Sequence, residues 1–151
     1  MAIEFRPFGS YQPSLAEGFV SGWEGERLTA YPCSAGVWTI GFGHTKGVKQ
    51  GDTCTEEQAR AWLLEDLADA QMRLARYINV SVTQNEFIAL VSLAFNVGVG
   101  ALSRSKLLRK LNSGDREGAA EEFLDFDLAN GKRLAGLTRR RKAEHDLFLT
   151  D

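Results

Sequence analysis

The chain has 151 residues, of which 44% are hydrophobic and 25% charged, and its formal net charge is −2 at pH 7. This composition fits one soluble globular domain, and the charge balance gives no case for a protein that binds nucleic acid. No apolar run approaches the roughly 18 residues that span a membrane, and the N-terminus has no signal-peptide core. We therefore expect a monomer that is made in the cytoplasm and has no stable membrane anchor.

Charge is unevenly distributed in the C-terminal part of the chain. An acidic run over 115–127 is followed by a basic run over 132–142. Such runs are typical of solvated helix faces. The alternative is a basic patch that faces an anionic polymer or a catalytic carboxylate.

Cys33 and Cys54 are the two cysteines of the chain. Two cysteines are too few for a disulfide framework, and neither they nor the two histidines have the spacing of a metal site. We expect no metal and no cofactor. A single bridge between the two cysteines, which would make a Cys33 thiol sensitive to redox conditions, stays open.

The pattern of apolar residues changes twice in the N-terminal third of the chain. Residues 1–13 hold two of the three prolines and predict an irregular arm on the surface. Ser14 and Glu17 match a capping box, which predicts a helix over about 15–24. An alternating, glycine-rich pattern over 28–48 then predicts two or three short strands.

Five helical patterns follow, and the first two open with capping boxes. The first is long enough to link two lobes, and the second is apolar on most sides, as in a helix at the centre of a bundle. The five patterns lie over about 55–77, 84–95, 103–112, 115–129 and 138–149.

These elements predict one helix-dominated α+β domain. Its predicted parts are an arm over 1–13, a β-containing lobe over about 14–54, a linking helix over about 55–78 and a helical lobe over about 80–151. The pair Asn130-Gly131 is interpreted as the break before the last helix.

Glu24 is the best candidate for a catalytic acid. It lies where the first predicted helix ends, before a glycine-rich ribbon. A carboxyl group in a cleft between lobes can act as a general acid. The alternative interpretation is that Glu24 is a surface glutamate in the last turn of the helix. Gly41 and Gly43 indicate tight bends, or close approach of the backbone to a ligand or another strand.

Cys33 and His44 form a weaker signal. A cysteine near a histidine suggests thiol catalysis. Because such pairs occur by chance in many chains, a free structural cysteine and a hydrogen-bonded structural histidine are the default interpretations. The residues alone thus lead to a candidate carboxylate site in a cleft.

Several segments resemble the phage lysozymes, or endolysins, of glycoside hydrolase family 24. They are W-E-G-E-R-L-T-A-Y from Trp23, G-V-W-T-I-G-F-G-H-T from Gly36, the stretch from Gly51 to Ala59, Phe95–Gly98 with Leu107–Asn112, and Gly136–Glu144. The resemblance covers about residues 14–149 in order. It implies a lysozyme-like fold and cleavage of the β-1,4 bond between N-acetylmuramic acid and N-acetylglucosamine in peptidoglycan.

The family's triad is a glutamate, an aspartate nine residues on and a threonine six residues further. By resemblance, Glu24 protonates the leaving oxygen, while Cys33 and Thr39 hold the attacking water on the opposite face and the reaction inverts. Cys33 departs from the aspartate pattern, although some members carry cysteine there. Two substrate-binding residues are also implied: Arg139, which pairs with Glu24 across the cleft, and Asn96, which contacts sugar.

The thiol at Cys33 leaves three other functions open. A lytic transglycosylase would use Glu24 alone and form an anhydro-sugar, and a wall-binding protein would have lost catalysis. A Cys-His peptidase acting on stem peptides would need a nucleophilic Cys33 with His44 in reach. The resemblance also implies a protein that reaches the cell wall through a holin-like pore.

Overall fold

The computed structural model describes residues 3–129 and 131–151, so Met1, Ala2 and Asn130 of the predicted arm and helix break lie outside the described residues. The helices are α1 (Glu17–Glu24), α2 (Glu56–Ala75), α3 (Gln84–Val97), α4 (Val99–Ser103), α5 (Lys106–Asn112), α6 (Arg116–Phe123) and α7 (Ala135–Phe148). Two antiparallel strand pairs join β1 (Arg27–Pro32) to β2 (Trp38–Gly41), and β3 (Leu128–Ala129) to β4 (Lys132–Arg133). The helix-rich α+β prediction is confirmed.

Helix α3 forms the centre of the hydrophobic core. Residues 86–94 are all buried, because this segment is apolar on most sides and packs against both α2 and α7. Thr55 and Thr83 each close the capping box predicted for them, which fixes where α2 and α3 begin. Helix α2 lies where a linking helix was predicted, and the division of the chain into two lobes around it remains a prediction.

The predicted N-terminal arm contains a 3-10 turn over Phe8–Ser10, and it does not lie wholly on the surface. Phe8 and Tyr11 are buried, and their ring centroids lie 5.2 and 5.0 Å from that of Phe87 in α3. The Tyr11 hydroxyl donates to the Val82 carbonyl at 2.7 Å, so its polar end is satisfied. The prolines indicated the irregular backbone, but the two aromatic rings attach the arm to the core.

Helix α1 begins later than predicted. Pro13 opens a short 3-10 turn that ends at Ala16, so Ser14 does not cap the helix. The helix still ends at Glu24, and two residues separate it from the start of β1. Glu24 therefore lies at the junction of helix and ribbon, where the sequence placed it.

The segment after α6 differs most from its prediction. The helix predicted over 115–129 ends at Phe123, and the chain then forms the β3–β4 hairpin. Buried Asp127 accepts hydrogen bonds from Arg133 Nη1 at 2.6 Å and from Thr138 Oγ1 at 2.7 Å. These bonds tie the hairpin to the first turns of α7.

Within residues 3–129 and 131–151, no helix has the combination of length and apolar character that crossing a membrane requires.

Candidate active site

Four of the five predicted site residues line one cleft of about 720 Å³. They come from four places in the chain: Glu24 from the end of α1, Cys33 from the turn after β1, Thr39 from β2 and Asn96 from α3. The fifth, Arg139, does not line this cleft. The fold therefore brings together most of the residues that were singled out.

The register of β1 against β2 explains how Cys33 and Thr39 meet. Tyr31 is paired with Thr39, and the Cys33 N–H donates to the Val37 carbonyl at 2.9 Å across the turn. Thr39 lies on β2 and Cys33 in the turn that follows β1, and both line the cleft.

Thr39 and Cys33 present groups that can accept a hydrogen bond from water. Thr39 is 3% exposed, and its hydroxyl donates to the Val37 carbonyl at 2.9 Å. A hydroxyl has one proton, which Thr39 uses in this bond. The lone pairs of its Oγ1 can therefore accept a hydrogen bond from water. Burial raises the pKa of the Cys33 thiol, but hydrogen bonding by the backbone of Ala35, Val37 and Cys33 and by the Thr39 side chain together outweighs it, and the net shift is downward.

Glu24 is paired with Arg140, and the pairing predicted for Arg139 is wrong. Arg140 is 4% exposed and donates through Nη1 to Glu24 Oε2, whereas Arg139 is exposed on α7. One residue along a helix turns a side chain by about 100°. An assignment one residue away along α7 was therefore enough to exchange a buried cation for a solvated one.

Behind Arg140 lies a buried ionic network that the sequence analysis missed. Arg141 and Glu144 are fully buried, and Arg141 Nε lies 2.6 Å from Glu144 Oε1. Arg140 Nε lies 3.4 Å from Glu144 Oε2, which also accepts a hydrogen bond from Ser92. With Glu24, the network has two cations and two carboxylates, so its formal charges cancel, as buried ions require.

Burial is the main influence on both members of the inner pair. It lowers the pKa of Arg141 and raises the pKa of Glu144, while their mutual attraction opposes both shifts. The sequence carried a signal for this network, since residues three and four apart on a helix are neighbours. Arg140 and Arg141 stand at those two spacings from Glu144.

The basic run over 132–142 is therefore not a plain solvated face. Besides its two buried arginines, Arg133 pairs with Asp127 at 2.6 Å and Lys142 with Asp146 at 3.2 Å. The sequence had left open that this run faces a catalytic carboxylate, and Arg140 does face the carboxylate of Glu24.

Asn96 is oriented by the same network. Its Oδ1 accepts a hydrogen bond from Arg141 Nη1 at 2.9 Å. Because a guanidinium has donors only, the amide oxygen must face Arg141. The amide NH₂ group of Asn96 is thereby left for the cleft.

Gly43 approaches Glu24 closely. Its φ is +76°, and a Cβ built on it would lie 2.5 Å from Glu24 Oε1. A side chain at this position would displace the carboxylate, and a glycine adopts this φ without strain. The close backbone approach that the sequence indicated is thus to the side chain of the candidate acid.

His44 does not line the cleft. Its Nδ1 lies 2.7 Å from Asp66 Oδ2, and its ring stacks on Trp62 with centroids 4.7 Å apart. These contacts fit the structural interpretation of His44. They leave the Cys-His peptidase without its base.

Both cysteines are free. The Cys54 N–H donates to the Leu28 carbonyl at 2.9 Å, so Cys54 lies beside one end of β1 while Cys33 follows the other end. Five residues of strand span about 16 Å, which exceeds the reach of a disulfide. A bridge that masks Cys33 would require the ribbon to rearrange.

Comparison with known proteins establishes the family. The sequence profile of the family described as phage lysozyme matches residues 21–144. The chain belongs to the phage lysozyme family. An endolysin of Acyrthosiphon pisum secondary endosymbiont phage 1 is 50% identical over 130 residues, which are 83% of this chain and 89% of that protein.

Solved structures of family members share the fold. The muramidase domain of SpmX from Asticaccaulis excentricus has a TM-score of 0.82 at 36% identity and covers 90% of this chain and 95% of that one. An endolysin from Escherichia coli O157:H7 phage FAHEc1 has a TM-score of 0.81 at 35% identity. The match covers 92% of this chain and 93% of that one. The lysozyme-like fold is thus confirmed, and so is the prediction of a peptidoglycan-cleaving enzyme.

Proposed function

We propose that the chain hydrolyses the β-1,4 bond between N-acetylmuramic acid and N-acetylglucosamine with inversion, and that Glu24, Cys33 and Thr39 are its catalytic residues. The observation that carries the proposal is that these three side chains line the same cleft. Glu24 comes from α1 and the other two come from the β1–β2 ribbon. The acid therefore comes from one element, and the residues proposed to hold the attacking water come from another.

In the first part of the reaction, Glu24 donates its proton to the leaving glycosidic oxygen. Arg140 stabilises the carboxylate that this transfer produces. The same arginine is also attracted to Glu144, whose Oε2 lies 3.4 Å from its Nε. Arg140 therefore links Glu24 to the buried pair of Arg141 and Glu144.

In the second part, a water held by Cys33 and Thr39 attacks the anomeric carbon. The water donates one hydrogen bond to the lone pairs of Thr39 Oγ1 and the other to Cys33 Sγ. As the new C–O bond forms, the proton passes to the Cys33 thiolate, whose population a lowered pKa increases. A carboxylate is the usual base of this chemistry, and here a thiolate takes its place.

Replacing the acid tests the assignment. Glu24→Gln should reduce the clearing of permeabilised Gram-negative cells by about 100-fold or more, since general acid catalysis contributes about 10²–10⁴-fold. Glu26→Gln is the matched control, because Glu26 is exposed and does not line the cleft. Equal clearing by wild type and Glu24→Gln would show that Glu24 is not the acid.

A lytic transglycosylase is the second candidate, because Cys33 removes the second carboxylate from the site. That enzyme uses Glu24 alone and returns an anhydromuramyl product. Mass spectrometry of digested peptidoglycan distinguishes the two reactions. Hydrolysis yields reducing ends, and anhydromuramyl ends in their place would overturn the proposed reaction.

Sugar binding is proposed for Asn96, through the amide NH₂ group that Arg141 leaves for the cleft. The acetamido carbonyl and hydroxyl oxygens of a glycan are acceptors for such a donor. Arg139 is not retained as a binding residue, because its role depended on a pairing that Arg140 makes.

Access to the substrate is also part of the proposal. We infer that a monomer of 16.7 kDa acts on the cell wall after release through a holin-like pore. Cells that express the chain without a holin should keep their density until chloroform opens the inner membrane. Lysis before chloroform is added would contradict this route, and sedimentation of a larger species would contradict the monomer.

A further inference from the structure

We propose that Tyr31 is a further substrate-contacting residue, whose phenol hydroxyl donates a hydrogen bond to the glycan between Glu24 and Cys33. The proposal rests on the proposed function, because it assumes that the scissile bond lies in this cleft.

The strand register places Tyr31 beside the two proposed water-holding residues. Tyr31 lines the cleft and is paired with Thr39 across the antiparallel ribbon. Directly opposed residues have Cβ atoms about 4.5–5.5 Å apart. Cys33 follows two residues later, in the turn after β1, and lines the same cleft. The ribbon and its turn therefore bring three polar side chains to the cleft, of which the mechanism above uses two.

The phenol of Tyr31 shares the cleft with Glu24 and Cys33. Burial raises the pKa of Tyr31, the negative charges of Glu24 and Cys33 raise it further, and the positive charge of Arg27 opposes them, so the net shift is upward. The hydroxyl is thus protonated at neutral pH and available as a donor. Among the residues that the structure describes, it has no hydrogen-bond acceptor, so a ligand in the cleft can take that bond.

The ring of Tyr31 is held in place from outside the cleft. The guanidinium carbon of Arg27 lies 4.6 Å from the ring centroid, over its face. Arg27 itself is exposed and does not line the cleft. The face of the ring is therefore covered by a cation from outside the cleft, while Tyr31 itself lines the cleft.

The chemistry of the substrate fits this donor. A glycan presents ring, glycosidic, hydroxyl and acetamido oxygens, all of which accept hydrogen bonds. A hydroxyl in the cleft that Glu24 and Cys33 also line is placed to bind the sugar on which the acid and the water act. It supplies a donor on a face where Cys33 and Thr39 supply mainly acceptors.

The test is Tyr31→Phe, which removes the hydroxyl and keeps the ring under Arg27. Losing one neutral hydrogen bond should lower kcat/KM on purified peptidoglycan by about 2- to 12-fold. The control is Tyr77→Phe, since Tyr77 is exposed and lies outside the cleft. Full activity in Tyr31→Phe, or an equal loss in Tyr77→Phe, would overturn the proposal.

A binding measurement separates a substrate contact from a structural role. In the Glu24→Gln background, adding Tyr31→Phe should weaken the affinity for a peptidoglycan disaccharide-peptide fragment while the thermal midpoint stays unchanged. An unchanged affinity, or a lower midpoint with no change in affinity, would contradict the contact. If Glu24→Gln alone keeps full activity, the proposed function fails; if only Tyr31→Phe does so, this inference alone fails.

Discussion

Gly43→Ala should separate activity from stability, because the added methyl group meets the carboxylate of Glu24. The new Cβ would lie 2.5 Å from Oε1, about 0.9 Å closer than the 3.4 Å at which ordinary contact begins. The other oxygen of the carboxylate is held by Arg140. Glu24 therefore cannot turn aside without weakening that ion pair.

Two magnitudes follow from this geometry. An alanine at φ +76° costs about 1–2 kcal/mol of folding free energy, which corresponds to a fall of about 2–8 °C in Tm for a chain of this size. A displacement of about 1 Å in a catalytic group can lower the rate about 100-fold. We therefore expect kcat/KM to fall by about two orders of magnitude while the protein stays folded at 25 °C.

Gly47→Ala is the matched control. Its φ is +71°, and a Cβ on it would meet nothing within 4 Å, so it carries the backbone strain without the clash. Both variants should lose similar stability in thermal unfolding, and only Gly43→Ala should lose activity on purified peptidoglycan. If the two variants retain equal activity, the position of the Glu24 carboxylate does not limit the rate and the reasoning is wrong.

Three further predictions concern the network, the hairpin and the thiol. Glu144→Gln removes a counter-charge from buried cations and should lower the free energy of unfolding, measured in urea, by about 3–5 kcal/mol. The control is Asp146→Asn at an exposed position, which should change it by less than about 0.5 kcal/mol. Similar losses in the two variants would contradict the network's role. The Thr138 hydroxyl holds the pKa of Asp127 below its ordinary value, so this carboxylate stabilises the fold above about pH 4 and loses its effect as the pH falls through the lower folded pKa. Asp127→Asn should therefore reduce the decrease of Tm at acidic pH. A dependence of Tm on pH that is the same as in the wild type would refute this assignment. Cys33→Asp should keep or raise the rate of peptidoglycan cleavage, since a carboxylate is the usual base at that position, and an inactive Cys33→Asp that folds normally would point to a specific need for the thiol.

Local physical chemistry predicted the helices that carry the core. The capping boxes at Thr55 and Thr83 are short-range hydrogen-bond patterns, and the apolar periodicity of the segment over 84–95 follows from its burial. Both signals are contained in a few neighbouring residues. That is why α2 and α3 begin where the sequence indicated.

Long-range contacts decided the features that were missed. Nothing near Phe8 or Tyr11 in the sequence indicates that their rings pack on Phe87, which lies more than seventy residues further along. Likewise, Ser14 matches a capping pattern, but Pro13 sets a different backbone conformation first. Propensity is a weak prior wherever tertiary packing selects the outcome.

The candidate site shows the same division. The acid at the helix-to-ribbon junction was found from local sequence, whereas the triad roles of Cys33 and Thr39 entered through resemblance to a family. The exchange of Arg139 for Arg140 shows where resemblance alone was insufficient, because helix phase and not sequence position decides which arginine faces Glu24. Tyr31 was not singled out, since only the strand register reveals that it opposes Thr39.

The most direct test of the mechanism is a crystal structure of Glu24→Gln with a bound peptidoglycan fragment. The account predicts that the glycosidic oxygen lies within about 2.6–3.2 Å of the side chain at position 24. It also predicts a water, held by Cys33 and Thr39, on the opposite face of the anomeric carbon. A fragment whose scissile bond lies away from position 24, or whose anomeric carbon has Cys33 on the same side as that residue, would contradict it.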